Sequence, residues 1–146
     1  MASDMIVLDA SVALEWVLPK SPERNYVDAV LVSIIRGEVV AHAPEIMTLE
    51  CAYVLRKAVG QKRLSADQAR ECAQAIDRVT GNIHTGRAPF VDGALATADH
   101  YDLAAYDACY FDLAMYLGCS IATTDNAIRR ACERFDVSLY LSEIAG

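Results

Sequence analysis

The chain has 146 residues, 54% of them hydrophobic and 23% charged, a balance that excludes disorder and fits one domain, residues 1–146, around one full core. Its net charge of −7 and pI of about 4.8 exclude a broadly basic nucleic-acid surface, although bound cations reverse the sign locally at an acidic site. The longest apolar patch, Ala29 to Ile35 with Ser33 inside it, is too short to span a bilayer, and residues 1–4 carry no basic leader, so a cytoplasmic protein is expected. The five cysteines, at positions 51, 72, 109, 119 and 132, show no CxxC spacing and no histidine at zinc-ligand distance. They read as small buried thiols in a reducing compartment.

Met5–Leu8 is a continuous apolar run, the pattern of a strand covered on both faces. Helical pattern follows over Ser11–Leu18, stopped by Pro19, and again from near Pro22 to Ile35, ended by Gly37. Val39–His42 reads as a strand, and Pro44 as the opening of a helix to Val59 with Gly60 as its stop. Ser65 and Gln68 have capping-box spacing for a helix to Val79, and Asn82–Thr85 is a weak strand. Helices are expected over Val91–His100 and Tyr106–Leu117, a strand over Cys119–Thr123, a helix over Asn126–Arg134 and a last strand over Val137–Leu141. Strands alternating with helices imply an α/β fold, a parallel sheet with helices on both faces.

Four carboxylates stand where such a fold makes them conspicuous: Asp9 after the first strand, Asp125 after the fourth, and Glu50 and Asp107 on apolar helix faces. Ligands of open parallel sheets bind beyond the carboxyl ends of the strands, which is where Asp9 and Asp125 fall. Taken singly, each of those two is also a good helix N-cap. Glu50 has Ile46, Met47, Tyr53 and Val54 at i±3 and i±4, so it faces inward and needs a partner, either a cation in a site or an arginine such as Arg129 or Arg130. Asp107 is flanked likewise by Leu103, Ala104, Tyr110 and Phe111 and sits in the first turn of its helix. Asp112 rivals it, but lies about 140° away around the helix, so only one of the two can face a cluster. Asp107, nearer the helix start, is the better candidate, and Asp112 suits a subunit interface.

Hard oxygen ligands gathered from distant segments are what Mg²⁺ or Mn²⁺ requires, and metal-assisted attack on phosphate is their commonest use. Ser11 and Thr123, each two residues from an aspartate, could orient a carboxylate or a water. His42, His84 and His100 show no paired spacing, and no serine or cysteine lies in a nucleophile-elbow sequence. No covalent nucleophile is expected.

The VLDASVALEW start, the helix with Pro44, Glu45, Ile46 and Glu50, the AAYDACYFDLA segment and the closing TTDNAI resemble PIN-domain proteins of the VapC toxin type, in order over nearly the whole chain. The resemblance implies a three-layer α/β/α sandwich around a five-stranded parallel sheet. It further implies an Mg²⁺- or Mn²⁺-dependent ribonuclease, dimeric and blocked by a cognate antitoxin. By motif position its metal-binding carboxylates would be Asp9, Glu50, Asp107 and Asp125, with Ser11 and Thr123 at the accessory hydroxyl positions. Asp112 departs from the pattern, since such toxins more often carry a small or apolar residue there. RNA would be attracted by Arg56, Lys57, Lys62 and Arg63, with Arg129 and Arg130, although a solvated charged surface explains these equally well.

Two other classes fit the sequence less well. A phosphatase of the haloacid-dehalogenase type wants an aspartate two residues after its nucleophilic one, where Ser11 stands. A phosphoacceptor-type regulatory module needs a lysine after a late strand, whereas Lys20, Lys57 and Lys62 all come early. A non-catalytic PIN-like binding module is the remaining alternative.

Overall fold

The first strand organises the rest. In β1 (Asp4–Leu8) the consecutive Ile6, Val7 and Leu8 point to alternate faces of the sheet, yet all three are fully buried, so both faces are covered. The computed structural model describes residues 4–18, 22–85 and 90–146. Pro19 and Lys20, and residues 1–3 of the amino terminus, lie outside the described residues.

After β1 come α1 (Ala10–Val17), α2 (Arg24–Ile35), β2 (Val39–Pro44), α3 (Ile46–Gly60), α4 (Ala66–Val79) and β3 (Asn82–His84). Then follow α5 (Val91–Tyr101), α6 (Ala105–Leu117), β4 (Ser120–Ala122), α7 (Asn126–Arg134) and a 3₁₀ turn over Ser142–Ile144. The sheet is parallel throughout, in the order β3-β2-β1-β4, and flanked by helices, which is the α/β architecture expected from the sequence. Helix α6 lies against β1, β2 and β4, and α2 against β2, while α1 to α4 pack on one another.

Local chemistry accounts for several boundaries. Ser65 Oγ accepts from the Gln68 amide (3.1 Å) while Gln68 Oε1 accepts from the Ser65 amide (2.8 Å), so the capping box forms as its spacing requires. Gly118 adopts φ +64°, the left-handed conformation that ends α6 without a Cβ penalty. Pro44 ends β2 rather than opening α3, because its fixed φ suits extended backbone as well as a first helical turn.

The fifth strand does not form among the described residues. Val137–Leu141 contributes one isolated parallel bridge, Leu139 to Ile121, with Ile121 N–H donating to Ser138 O (3.0 Å) and Tyr140 N–H to Ile121 O (2.8 Å). Leu141 turns to φ 53°, which breaks the extended run before a ladder can propagate. The segment is anchored instead by Tyr26, buried on α2, whose hydroxyl donates to Tyr140 O at 2.8 Å. All five cysteines are free thiols, Cys51 buried and the others half-buried. Among the described residues no helix is long and apolar enough to cross a membrane.

Candidate active site

The register of two central strands builds the first half of the site. Leu8 is paired with Ala122, and Asp9 N–H donates to Ala122 O at 3.0 Å, so Asp9 and Thr123 emerge side by side at the carboxyl end of the sheet. Both are buried, and Thr123 Oγ1 donates to Asp9 Oδ2 at 2.7 Å. Ser11, one step into α1, donates its hydroxyl to the same oxygen at 2.7 Å. Each hydroxyl is also an acceptor: Asp125 N–H donates to Thr123 Oγ1 (2.9 Å) and Thr124 N–H to Ser11 Oγ (3.1 Å). With their lone pairs so engaged, both hydroxyls aim their protons at Asp9.

Asp9 and Asp125 divide on the capping question. Asp125 Oδ1 accepts from Ile128 N–H at 3.0 Å and caps α7. Asp9 occupies the N-cap position of α1 but makes no side-chain cap bond, its carboxylate being directed to Ser11 and Thr123 instead.

Glu50 projects from α3, half-buried, and Tyr110 of α6 donates its hydroxyl to Glu50 Oε1 at 2.6 Å. The sequence offered Tyr110 only as an apolar neighbour of Asp107; its ring is fully buried while its oxygen reaches across to another helix. Arg129 is not Glu50's partner. It pairs with Glu23 (Nη2–Oε1, 2.7 Å), donates from Nε to Thr123 O (3.0 Å) and stands over the Tyr26 ring. So engaged, and largely buried, Arg129 serves as a strut behind the Thr123 loop and not as a docking charge for nucleic acid. Arg130 is exposed, as are Arg56, Lys57, Lys62 and Arg63 around the end of α3.

Asp107 stands in the first turn of α6, half-buried, without a hydrogen-bond or ion-pair partner among the described residues. Burial pushes its carboxyl up to about 6, reinforced by the charges of Asp125 and Asp9. Asp9 rises likewise to about 6, chiefly through burial, with the Ser11 and Thr123 hydrogen bonds opposing and Glu50 and Asp125 adding to the rise. Glu50 is raised by burial, held down in part by Tyr110, and raised again by Asp107. The four carboxylates thus feel one another as a single acidic cluster. Asp112 is not among the charges that raise Asp9, Glu50 or Asp107; its charge raises Cys109 instead.

The donor set suits a hard divalent cation: all its donors are oxygens, and burial first, then neighbouring carboxylates, makes Asp9, Glu50 and Asp107 costly to ionise without a counter-charge. Glu15, which the sequence reading passed over, lies one turn beyond Ser11 on α1, and its Oε2 is buried with no hydrogen-bond partner. Among the described residues no three Asp, Glu, His or Cys side chains converge tightly enough to enclose an ion by themselves. That is compatible with Mg²⁺, which commonly takes one or two carboxylates and keeps several waters.

Sequence spacing also gave no hint that His42 and His84 meet. The β2–β3 register brings His42 Nδ1 within 2.8 Å of His84 Nε2.

A family model described as PIN domain matches residues 6–134. Among solved structures, the chain is similar to PAE2754 from Pyrobaculum aerophilum, with 17% identity, a TM-score of 0.64, and coverage of 90% of this chain and 86% of that one. It is also similar to FitAcB from Neisseria gonorrhoeae, with 23% identity, a TM-score of 0.55, and coverage of 93% and 96%. At such identities the likeness to these structures speaks for the fold alone. No curated protein matches the chain in sequence.

Proposed function

This chain belongs to the PIN-domain family, whose members are generally nucleases, and from that premise we propose a metal-dependent endoribonuclease, the toxin of a VapC-type toxin–antitoxin pair. One observation carries the reading: Asp9, Glu50, Asp107 and Asp125, from four separate segments, form one repulsive acidic cluster at the carboxyl edge of the sheet.

In this reading Asp9, Glu50, Asp107 and Asp125 are the residues that would hold Mg²⁺ or Mn²⁺, directly or through its waters. Such an ion, when bound, would supply charge stabilisation at the phosphate and a lowered pKa for the attacking water. The chain's own contribution is placement. Ser11 and Thr123 fix the rotamer of Asp9 by both donating to Oδ2, so that its other oxygen takes no bond from either hydroxyl. Tyr110 does the same for Glu50 through Oε1. The Asp125 cap ties that carboxylate to the start of α7, and the Glu23–Arg129 pair braces the loop between β4 and α7. No side chain acts as a covalent nucleophile.

The partners follow from the surface. A hollow of about 490 Å³ lined by Ile46, Leu49, Glu50, Tyr53, Val54 and Tyr106 joins an apolar wall to a site carboxylate. It suits an antitoxin segment that lays apolar side chains along α3 and sends a basic group, best an Arg, toward the cluster. Leu49, Tyr53 and Tyr106 are each more than 60% exposed, enough apolar surface to support a homodimer as well.

The test is cleavage of defined RNA by the purified chain in metal-stripped buffer. Activity is expected to need Mg²⁺ or Mn²⁺, to stop in EDTA, and to return poorly with Ca²⁺, whose larger, looser sphere suits in-line hydrolysis less. Undiminished cleavage in excess chelator would remove the metal from the mechanism. Co-expression with the product of the neighbouring reading frame, followed by mass and activity measurements, tests the antitoxin and the dimer.

A further inference from the structure

The β2–β3 edge holds a second group of side chains of metal-ligating type. Parallel register pairs His42 with Asn82 and Pro44 with His84, so His42, Asn82 and His84 share one face of the ladder. The two imidazoles stand with Nδ1 of His42 2.8 Å from Nε2 of His84, ring centroids 5.1 Å apart and planes tilted by 37°. Both side chains are half-buried, shielded but within reach of a small ion.

We propose that His42 and His84 form a binding site for one imidazole-preferring divalent transition ion, Cu²⁺ or Ni²⁺, separate from the hard-cation cluster. The spacing, kept as the hydrogen bond sets it, suits one class of ion. Two nitrogens about 2.0–2.1 Å from a common metal and 2.8 Å from each other subtend about 86° at it. That angle is a cis pair of a square-planar or octahedral sphere, as Cu²⁺ and Ni²⁺ adopt, and is narrow for tetrahedral Zn²⁺, whose ligands stand about 3.3 Å apart. Mg²⁺ and Mn²⁺ favour oxygen and compete poorly for imidazole.

Without the ion, one ring donates its N–H to the other. With it, the donor ring carries its proton on the outer nitrogen, both inner nitrogens present lone pairs, and no proton is lost overall. Asn82 donates Nδ2 to Ala41 O at 3.4 Å, which leaves Oδ1 on the same face; it or water completes the sphere.

The site has a structural consequence that does not depend on the ribonuclease reading. β3 is a three-residue edge strand, and Glu45 N–H donates to His84 O (2.9 Å) just before the helix that carries Glu50. An ion across the two histidines fastens β3 to β2 and fixes the entry to α3.

The experiment uses the full chain without a histidine tag, in excess Mg²⁺ to keep hard-ion sites filled, titrated with nickel chloride and followed by imidazole NMR. One equivalent is expected to broaden His42 and His84 before His100. His84→Gln and His42→Gln should each weaken Ni²⁺ binding by about 100-fold, the loss of an intramolecular second ligand, while Asp9→Asn leaves it unchanged. His84 sits on an exposed edge, so its variant keeps the fold, as circular dichroism will show. Equal Ni²⁺ affinity in both histidine variants and the wild type, or broadening that begins around Asp9 and Asp107, would overturn the proposal.

Discussion

Thr123 gives its hydroxyl proton to Asp9 (2.7 Å) and takes one from the Asp125 amide (2.9 Å), so one side chain links the two strand-end aspartates in a fixed direction. Thr123→Val keeps the shape and strands a polar group at each end. The expected loss is about 1–3 kcal/mol of stability in urea unfolding, from the unpaired Asp125 amide and the weakened Asp9 contact. Asp9 should also titrate higher than in the wild type, read by carboxyl NMR. A variant as stable as the wild type with an unmoved Asp9 would mean that this hydroxyl holds neither group.

Asp9→Asn is expected to abolish RNA cleavage while leaving the fold intact. The amide oxygen can still accept from Ser11 or Thr123, and the charge that repels Glu50 and Asp125 is gone. In metal-free buffer at neutral pH its melting temperature should equal or exceed that of the wild type. A folded variant that cuts at the wild-type rate would sink the metal reading.

The metal-free protein should lose stability as pH rises through the acid range. Asp9 and Asp107 bind protons more tightly in the folded chain (about 6) than in the unfolded one (3.8). The folded state therefore holds more protons between those values, and stability is greatest below about 4 and falls until about 6. For buried Asp9 the difference is worth roughly 3 kcal/mol. Half-exposed Asp107 adds less, because solvent screens it. Mg²⁺ or Mn²⁺ should offset the fall at pH 7. Urea midpoints at pH 4.5 and 7, with and without the ion, check it; a stability that climbs with pH in metal-free buffer contradicts the sign.

Tyr110→Phe removes the only hydrogen bond to Glu50 among the described residues while keeping the buried ring. Glu50 should then titrate higher, and Mn²⁺ should bind more weakly, by about 10-fold. Calorimetric Mn²⁺ titration of the two proteins decides it. Unchanged affinity would separate Tyr110 from the proposed ion.

The sequence by itself determined what depends on near neighbours. The unbroken apolar run before Asp9 made β1 a central strand, Ser65 and Gln68 made the start of α4, and the apolar stripe around Glu50 turned that carboxylate inward. These are consequences of strand and helix periods and of end groups needing partners, all within a few residues. The parallel α/β order followed from the alternation of those elements.

Tertiary structure decided whatever depends on register between distant segments. Pairing Leu8 with Ala122 set Thr123 beside Asp9; pairing Pro44 with His84 set two histidines 2.8 Å apart that sequence spacing kept unrelated. Arg129 could have answered Glu50 by charge alone, but α7 carries it to Glu23, and Tyr110, read as apolar, reaches Glu50 in its place. The expected strand at Val137–Leu141 shrank to one bridge because its edge, and the turn at Leu141, are fixed by neighbours that no local pattern names. Periodicity says which way a side chain faces; only the packing of elements says what it meets there.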